Sequence, residues 1–292
     1  KADKGGGSKT RRFILRGTLL LILVACTGFI FLPPKGYIPI LMYHFVQPEK
    51  VSGSLYISTG DLNRQMWFLR TFGYRPISIE EFDAIKSGKL KPKGREVLVT
   101  FDDGHETYIQ YAFPILKRYQ ISSINFLIWN HVLNDGHAGS MTLEEVMGLA
   151  REPLLTFGSH TLTHPVLSEL SVEEARVQIV QSREMMEKAL NRKVEYFCYP
   201  IGAMNEEVME LVKGAGYRFA FTTSRKSLKG KPETPFSITR FKVSSQDNLL
   251  FFWWKISGLA SYTSRANGFF RQLTAYRLNG KLSVYKPRYQ FA

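Results

Sequence analysis

The stretch Val97–Gly104, VLVTFDDG, decides the fold. An apolar, β-branched run that ends abruptly in two carboxylates and a glycine is typical of a buried parallel strand. In α/β barrels the carboxyl ends of such strands open into the pocket that holds the chemistry. Two neighbouring carboxylates repel each other, and a divalent metal that takes one of them as a ligand and leaves the other as a base relieves that repulsion. The stretch alone fits equally well a turn in which both acids face solvent.

Strands alternate with helices along the rest of the chain, which favours parallel βα units over a β-sandwich. Three capping pairs predict where three of the helices start: Ser78 with Glu81, Thr142 with Glu145 and Ser171 with Glu174. The loop 130–140 is predicted to line the mouth of the sheet. A single α/β domain of this length is ordinary. We therefore expect one α/β barrel, with strands at 37–46, 74–77, 97–101, 123–129, 154–158, 195–199, 218–222 and 239–243.

The net charge of +14 belongs mainly to the two ends of the chain. Residues 1–36 hold seven basic residues and one acid, and residues 263–292 hold six basic residues and no acid. Little charge is left for residues 37–262, the predicted catalytic domain. A nucleic-acid groove needs its charge on the folded domain, so nucleic acid is not an expected partner. Basic ends instead favour adhesion to an anionic membrane or cell surface.

Residues 1–36 are predicted to be a signal or membrane anchor followed by a linker. The uncharged run Gly17–Leu32 follows a basic flank, as in a signal anchor. A lipoprotein cleavage box at Leu23–Cys26 and plain secretion are the two alternatives. All three place the domain outside the cytoplasm, because the positive flank stays inside. Cys26 and Cys198 suggest no disulfide, and the tail 263–292 has no predicted role.

A second informative stretch is Phe157–Pro165, FGSHTLTHP. Two imidazoles four residues apart, just beyond a predicted strand end, can converge on one ion. A lone histidine there would more often be a structural hydrogen-bonding group. One carboxylate with two imidazoles leaves coordination positions open, as catalytic sites do. The donor set suits Zn, Co, Ni or Fe(II), with Zn as the default.

A third stretch, Phe197–Gly202 or FCYPIG, is another predicted strand that ends in a turn. Pro200 removes one amide, and Gly202 lets the backbone approach a ligand. The N–H of Ile201 would then be free to face a developing oxyanion. The same residues also make an ordinary strand-to-helix turn.

Three stretches resemble, in order and spacing, the first three motifs of the polysaccharide deacetylases, which are carbohydrate esterase family four with the NodB-homology fold. They are TFDDG at 100–104, HTLTHP at 160–165 and YPIG at 199–202. The resemblance covers about residues 37–255. It implies a distorted (β/α) barrel that hydrolyses an N-acetyl group on a sugar and releases acetate.

The resemblance also assigns roles to individual residues. It implies that Asp103, His160 and His164 bind one divalent metal and that Asp102 is the general base. Tyr199 and Ile201 would lie at the oxyanion and substrate side of the site.

The chain departs from the family pattern in three places. Cys198 stands where the family usually has the arginine that braces the base, which predicts a slower catalyst. No acidic motif with tryptophan follows, and the usual C-terminal Leu-x-His is absent because nothing beyond His164 is a histidine.

The general acid must therefore come from elsewhere, and His44 is the predicted residue. Leu41–Val46 resembles the branch of the family whose acid motif is permuted to the first strand, the branch of the poly-β-1,6-N-acetylglucosamine deacetylases. His105 enters a helix start, and His131 and His137 lie in a loop. Nearby carboxylates are expected to keep His44 cationic. The alternative is a buried strand-end histidine bonded to backbone.

The sequence thus predicts a metal-dependent deacetylase of an extracellular N-acetylglucosamine polymer, with poly-β-1,6-N-acetylglucosamine of biofilms as the favoured substrate. Peptidoglycan or chitin deacetylation, another metal hydrolysis in the same barrel, and a carbohydrate-binding protein with a vestigial site are the alternatives. Leu249–Ile256 is predicted to be a helix that packs on the barrel, or else a patch that contacts membrane or polymer.

Overall fold

The computed structural model describes residues 36–223 and 232–259. They fall almost entirely in one compact unit. The predicted anchor and the basic tail lie outside the described residues. Within the described ranges, no helix combines the length and the apolar character needed to cross a bilayer.

Ten strands and eight α-helices make up the described fold. The strands are β1 Ile40–Tyr43, β2 Phe45–Gln47, β3 Tyr56–Ser58, β4 Arg75–Ile77, β5 Glu96–Phe101, β6 Ser123–Leu127, β7 Leu155–Ser159, β8 Tyr196–Cys198, β9 Phe219–Phe221 and β10 Phe241–Lys242. The helices are α1 Thr59–Thr71, α2 Ile79–Lys86, α3 Phe113–Arg118, α4 Trp129–Leu133, α5 Leu143–Leu149, α6 Val172–Leu190, α7 Glu206–Gly214 and α8 Leu249–Ile256.

Every strand pair in the main sheet is parallel, which confirms the α/β prediction. The strand order is β10-β1-β5-β6-β7-β8-β9, with β4 also on β5. The segment before β10 hydrogen-bonds to β9, through Ile238 N–H to Ala220 O at 2.9 Å and Thr222 N–H to Ile238 O at 2.8 Å. β10 itself pairs with β1. The two ends of the order therefore approach each other, and the sheet is curled.

The side chains inside the curl change from apolar to polar along the strands. Because side chains alternate across a strand, Leu98 and Thr100 share one face of β5 with Asp102 just beyond it. Leu98 belongs to a buried apolar cluster with Ile124, Phe126 and Phe221 from neighbouring strands. A second, larger cluster fills the layer between the sheet and the helices. The carboxyl end of the sheet is thereby left for polar groups.

Helix starts follow the predicted caps, with one correction. Thr142 with Glu145 and Ser171 with Glu174 form reciprocal capping boxes, which confirms both predictions. Ser78 accepts the Glu81 N–H, but the box is not reciprocal there. The Glu81 carboxylate instead takes a hydrogen bond from Arg75, because an opposite charge outcompetes a backbone amide.

Two other expectations need correction. The predicted strand 123–129 ends at Leu127, because Trp129 opens α4, and the predicted loop 130–140 is partly helical, with a 3₁₀ turn at His137–Gly139. The packing interpretation of Leu249–Ile256 is confirmed, since Phe252 and Ile256 are buried in the core.

Gly158 is closely packed inside the curl. A Cβ at this position would lie 2.6 Å from the Phe126 ring and 3.0 Å from Tyr196 O. Gly158→Ala should lower the free energy of unfolding by about 1–3 kcal/mol through overpacking. Gly148→Ala, in α5 with open space around it, should instead stabilise by about 0.5–1 kcal/mol. Chemical denaturation of both variants tests this, and equal effects would contradict the packing.

Candidate active site

The aspartate pair lies where β5 ends and the chain turns. Asp102 keeps the inward direction of its strand, and its N–H donates to Tyr43 O at 3.0 Å. Asp103 has a φ of 73°, in the left-handed region that non-glycine residues rarely adopt. Gly104 follows with a φ of 66°, and a Cβ there would lie 2.7 Å from Leu127 Cδ2. This turn places both carboxylates at the mouth, where an extended chain would point them apart.

The histidine loop is held by hydrogen bonds along its length. Trp129 and Asn130 N–H donate to Thr161 O and Leu162 O, and the His164 N–H donates to Thr161 Oγ1 at 2.9 Å. The His160 ring bonds through Nδ1 to Cys198 O at 2.8 Å. A carbonyl only accepts, so Nδ1 carries a proton and Nε2 is the ring nitrogen that faces Asp103. Such an outer hydrogen bond is how proteins orient metal-binding histidines.

Asp103, His160 and His164 come together as the sequence predicts. Their ligand atoms lie within 4.8 Å of one another. Asp103 Oδ1 is 3.5 Å from His160 Nε2 and 3.7 Å from His164 Nε2. Ligands about 2.0–2.2 Å from one ion lie about 3–3.5 Å apart, so the spacing fits a shared cation better than direct hydrogen bonds. The carboxylate and imidazole donors suit a divalent metal, whose identity they leave open.

Burial and charge set the protonation of this cluster. Burial by itself raises the pKa of Asp103, but His160 and its neighbours outweigh it and hold the pKa well below its usual range. Burial and the adjacent His160 lower the pKa of His164 to about 4. An ionised Asp103 and a neutral His164 are in the state that a metal ion requires of its ligands. Burial by itself lowers the pKa of His160, but Cys198 and Asp103 outweigh it and hold the pKa well above its usual value, so this ring gives up a proton when an ion binds.

Arg240, just before β10, forms a bidentate ion pair with Asp102 through both terminal nitrogens of its guanidinium. Nη1 donates to Oδ1 at 2.6 Å and Nη2 to Oδ2 at 2.7 Å. The remaining donors reach Thr100 Oγ1 at 3.0 Å, Thr222 O at 3.1 Å and Cys198 Sγ at 3.0 Å. The Arg240 side chain is fully buried, and that of Asp102 nearly so. Burial alone would raise the pKa of Asp102, yet Arg240 lowers it below the ordinary value.

The Cys198 thiol lies between the arginine and the aspartate. Its Sγ is 3.6 Å from Asp102 Oδ2, and burial raises its pKa. Asp102, His160 and Cys198 also bring potential ligand atoms within 4.8 Å of one another. A neutral thiol and a carboxylate already bound to Arg240 make this group a poor cation site.

His44 faces Asp102 from the end of β1, as predicted, with Nε2 3.9 Å from Oδ2. Its Nδ1 is buried and has no hydrogen-bond partner within the described part of the chain, so the alternative of a backbone-bonded histidine does not hold. The expected cationic state is wrong. Burial lowers the pKa of His44, and the attraction of Asp102 and Asp103 does not compensate.

The third motif is confirmed as a turn, with one correction. Ile201 has a φ of 49°, rare for a β-branched residue, and its N–H is among the first of a 3₁₀ turn, which have no acceptor inside the turn. Tyr199 cannot meet a substrate with its side chain. That side chain is fully buried, and its hydroxyl donates to Phe236 O at 2.9 Å.

The other mouth histidines lie apart from Asp102. His105 bonds to Thr107 Oγ1 at 3.0 Å and packs edge-on against Phe45. His131 and His137 pack against each other, with ring centroids 5.4 Å apart. Neither arrangement offers a ring nitrogen to the base, unlike that of His44.

Comparison with known proteins shows which family the site resembles. A family profile described as polysaccharide deacetylase matches residues 89–220, which run from before β5 to β9. Over this part, which carries both aspartates and both histidines of the cluster, the chain is similar to the polysaccharide deacetylases. Members of that family are hydrolytic de-N-acetylases that depend on a metal ion.

Individual polysaccharide deacetylases show how far the similarity extends. The chain is 27% identical to YxkH of Bacillus subtilis over 207 residues, 71% of each chain. It is 25% identical over 195 residues to a poly-β-1,6-N-acetyl-D-glucosamine N-deacetylase of Staphylococcus aureus, covering 63% of this chain and 67% of the relative.

Two solved deacetylase structures share the fold across most of the described chain. IcaB from Ammonifex degensii is 26% identical with a TM-score of 0.64, covering 77% of this chain and 97% of that one. PplD from Streptococcus pyogenes, crystallised with acetate, is 25% identical with a TM-score of 0.65, covering 75% and 99%.

Arg240 is the site residue that the sequence analysis missed. The family resemblance implied that Cys198 leaves the base without its arginine, and a slower catalyst followed from that. Arg240 instead supplies the brace from another strand. The sequence offered no signal for it: in the predicted strand 239–243, Arg240 shares a face with Lys242, opposite Phe241 and Val243, which is the pattern of a residue that faces solvent.

Replacing Arg240 tests its hold on the base. Arg240→Lys keeps the positive charge but loses the bidentate hydrogen bonds to Asp102, so kcat/KM should fall about 10–100-fold. Because Arg240 lowers the pKa of Asp102, a weaker partner raises it. The base then becomes protonated at higher pH, and the acidic limb of the pH–rate profile moves upward.

Arg218→Lys is the matched control for this substitution. Arg218 is also ion-paired, but with Asp83 and at the surface, with 41% of its side chain exposed. Its pH–rate profile should match that of the wild type. An unshifted acidic limb in a folded Arg240→Lys variant would show that Arg240 does not control the base.

Proposed function

We propose that this protein removes N-acetyl groups from N-acetylglucosamine residues of an extracellular polymer, with poly-β-1,6-N-acetylglucosamine as the favoured substrate. The observation that carries the proposal is the buried Asp102–Arg240 pair beside the Asp103–His160–His164 cluster. One carboxylate is committed to a cation site and the other is kept ionised as a base. Similarity to poly-β-1,6-N-acetyl-D-glucosamine N-deacetylases supports the choice of linkage.

Each side chain has a defined task in amide hydrolysis. A divalent cation held by Asp103, His160 and His164 would polarise the amide carbonyl and lower the pKa of a water molecule. Asp102 accepts the proton of the attacking water, and Arg240 holds its two oxygens in place. The Ile201 N–H faces the oxygen that gains negative charge. His44 passes a proton to the leaving nitrogen, which departs as the free amine.

The neutral resting state of His44 bears on where its proton comes from. A histidine with a lowered pKa is uncharged at neutral pH, so it must gain a proton during the reaction. Asp102 Oδ2 lies 3.9 Å from His44 Nε2. We infer that the proton Asp102 takes from water reaches the leaving nitrogen by way of His44.

We also propose that the domain works outside the cytoplasm, held at a membrane or anionic cell surface by residues 1–36 and the basic tail 263–292. The support is the charge distribution of the sequence. Protease treatment of intact cells should degrade the domain, and full protection would contradict the proposal.

Acetate release from the full chain tests the activity. The protein should release acetate from β-1,6-linked N-acetylglucosamine oligomers faster than from β-1,4-linked oligomers or peptidoglycan. A chelator should abolish release, and Zn²⁺ should restore it. Acetate release that survives exhaustive metal removal would contradict the metal-dependent mechanism. Acetate release from peptidoglycan alone would contradict the favoured substrate and make peptidoglycan the substrate instead.

His44→Ala should reduce kcat by about 10²–10⁴-fold, because the leaving nitrogen loses its proton donor. Bound metal, measured by elemental analysis, should stay at the wild-type level. His137→Ala, at an exposed histidine of the 3₁₀ turn His137–Gly139, is the control and should keep kcat within a few-fold. Wild-type kcat in folded His44→Ala would remove His44 from the mechanism.

A further inference from the structure

Gln178, on helix α6, contacts the loop that joins the two histidines of the cation site. Its Oε1 accepts the N–H of Leu162 at 3.1 Å and the N–H of Thr163 at 3.0 Å. Its Nε2 donates to Thr163 Oγ1 at 3.0 Å. Backbone N–H groups can donate only to the oxygen of the amide, so these contacts also fix which way the side chain is turned. One side chain thus binds two of the three residues that separate the histidines.

The loop depends on such contacts because its backbone is strained on both sides of them. Thr161 has a φ of 71° and His164 a φ of 62°. Non-glycine residues keep a left-handed conformation only where the surrounding structure holds them there. Gln178 bonds to the two residues between these strained positions. A loop released from Gln178 would relax toward ordinary φ values, and His164 would then move away from His160.

The two histidines differ in how their side chains are held. The His160 side chain is 2% exposed, and its ring bonds to Cys198 O at 2.8 Å. The His164 side chain is 28% exposed and faces Asp103, with Nε2 3.7 Å from Oδ1. Burial and the ring hydrogen bond therefore position His160, whereas the position of His164 depends more on the backbone that carries it. The contacts of Gln178 with that backbone bear most directly on His164.

Helix α6 is a firm base for these contacts. It spans 19 residues, begins with a capping box, and buries Ile179, the neighbour of Gln178, completely. One turn further along, Ser182 Oγ lies 2.8 Å from Ser159 Oγ, which accepts the Thr161 N–H at 3.3 Å. The helix thus holds the loop at two points. Groups that are ordered before a ligand arrives reduce the ordering cost of binding.

We propose that Gln178 is a positioning residue for the cation site, which holds the loop in the conformation that brings His160 and His164 to one ion. In this role Gln178 touches neither the ion nor the substrate. It raises the fraction of molecules whose loop is ready to bind, and the apparent affinity for the ion scales with that fraction. The proposal rests on the metal dependence of the proposed function and adds a residue on α6 that sets the strength of metal binding.

Zn²⁺ binding tests the proposal, measured on the metal-free full chain in competition with a chromophoric chelator. Gln178→Met keeps the length of the side chain but removes all three hydrogen bonds, so the Kd for Zn²⁺ should rise about tenfold. Gln178→Glu should bind Zn²⁺ within about twofold of the wild type, because its carboxylate accepts both N–H groups and the Thr163 hydroxyl can turn to donate. Thr163→Val removes one of the three bonds and should raise the Kd about threefold.

Gln181→Met and Gln181→Glu are the matched controls, since Gln181 is an exposed glutamine on the same helix. Both should keep the wild-type Kd for Zn²⁺.

A purely structural role of Gln178 would lower the free energy of unfolding of the metal-free Gln178→Met variant and leave its Kd unchanged. That result would overturn the proposal and leave the deacetylase intact, as would an equal rise of the Kd in Gln178→Met and Gln178→Glu. If Gln178→Met does not fold, a wild-type Kd in Thr163→Val overturns the proposal in its place. A wild-type chain that binds none of Zn²⁺, Co²⁺ and Ni²⁺ would overturn the metal-dependent mechanism and this proposal together.

Discussion

The rest of the site depends on the buried ion pair between Asp102 and Arg240. The two residues are 138 positions apart in the chain, next to the ends of β5 and β10, which β1 separates in the sheet. Neither charge is stable at this depth without the other, because removing one partner of a buried pair costs about 3–5 kcal/mol. The contact therefore fixes how the last strand lies across the mouth, and it keeps the base ionised although its side chain is buried.

The same pair divides the work of the two neighbouring carboxylates. Asp102 is satisfied by the guanidinium and has little left to offer a metal. Asp103 has no arginine and turns toward two imidazoles. An adjacent pair of identical residues thus acquires two different environments, and with them two tasks, as in other enzymes where surroundings separate the roles of paired acids.

Backbone strain is concentrated around this site. Of the eight non-glycine residues with positive φ in the described ranges, four are Asp103, Thr161, His164 and Ile201. Each such residue costs of order 1–3 kcal/mol unless the surroundings hold it. Hydrogen bonds between the histidine loop and α4, together with the close packing inside the curl, hold these residues in their strained conformations. The strain is the consequence of bringing three turns together with their functional groups pointing at one place.

Local patterns in the sequence determined much of this protein. Apolar strands that end in DDG and in a histidine pair predicted parallel strands with a cation site at their carboxyl edge, since the direction of a strand fixes where its end lies. Capping pairs at Thr142 and Ser171 predicted helix starts, because capping involves neighbouring residues only. Only the tertiary structure decided the roles of Arg240 and Tyr199. Each depends on contacts between distant segments or on the depth of burial. The charge state of His44 was decided in the same way, because desolvation is a property of the packed molecule and not of the residues next to it in the chain.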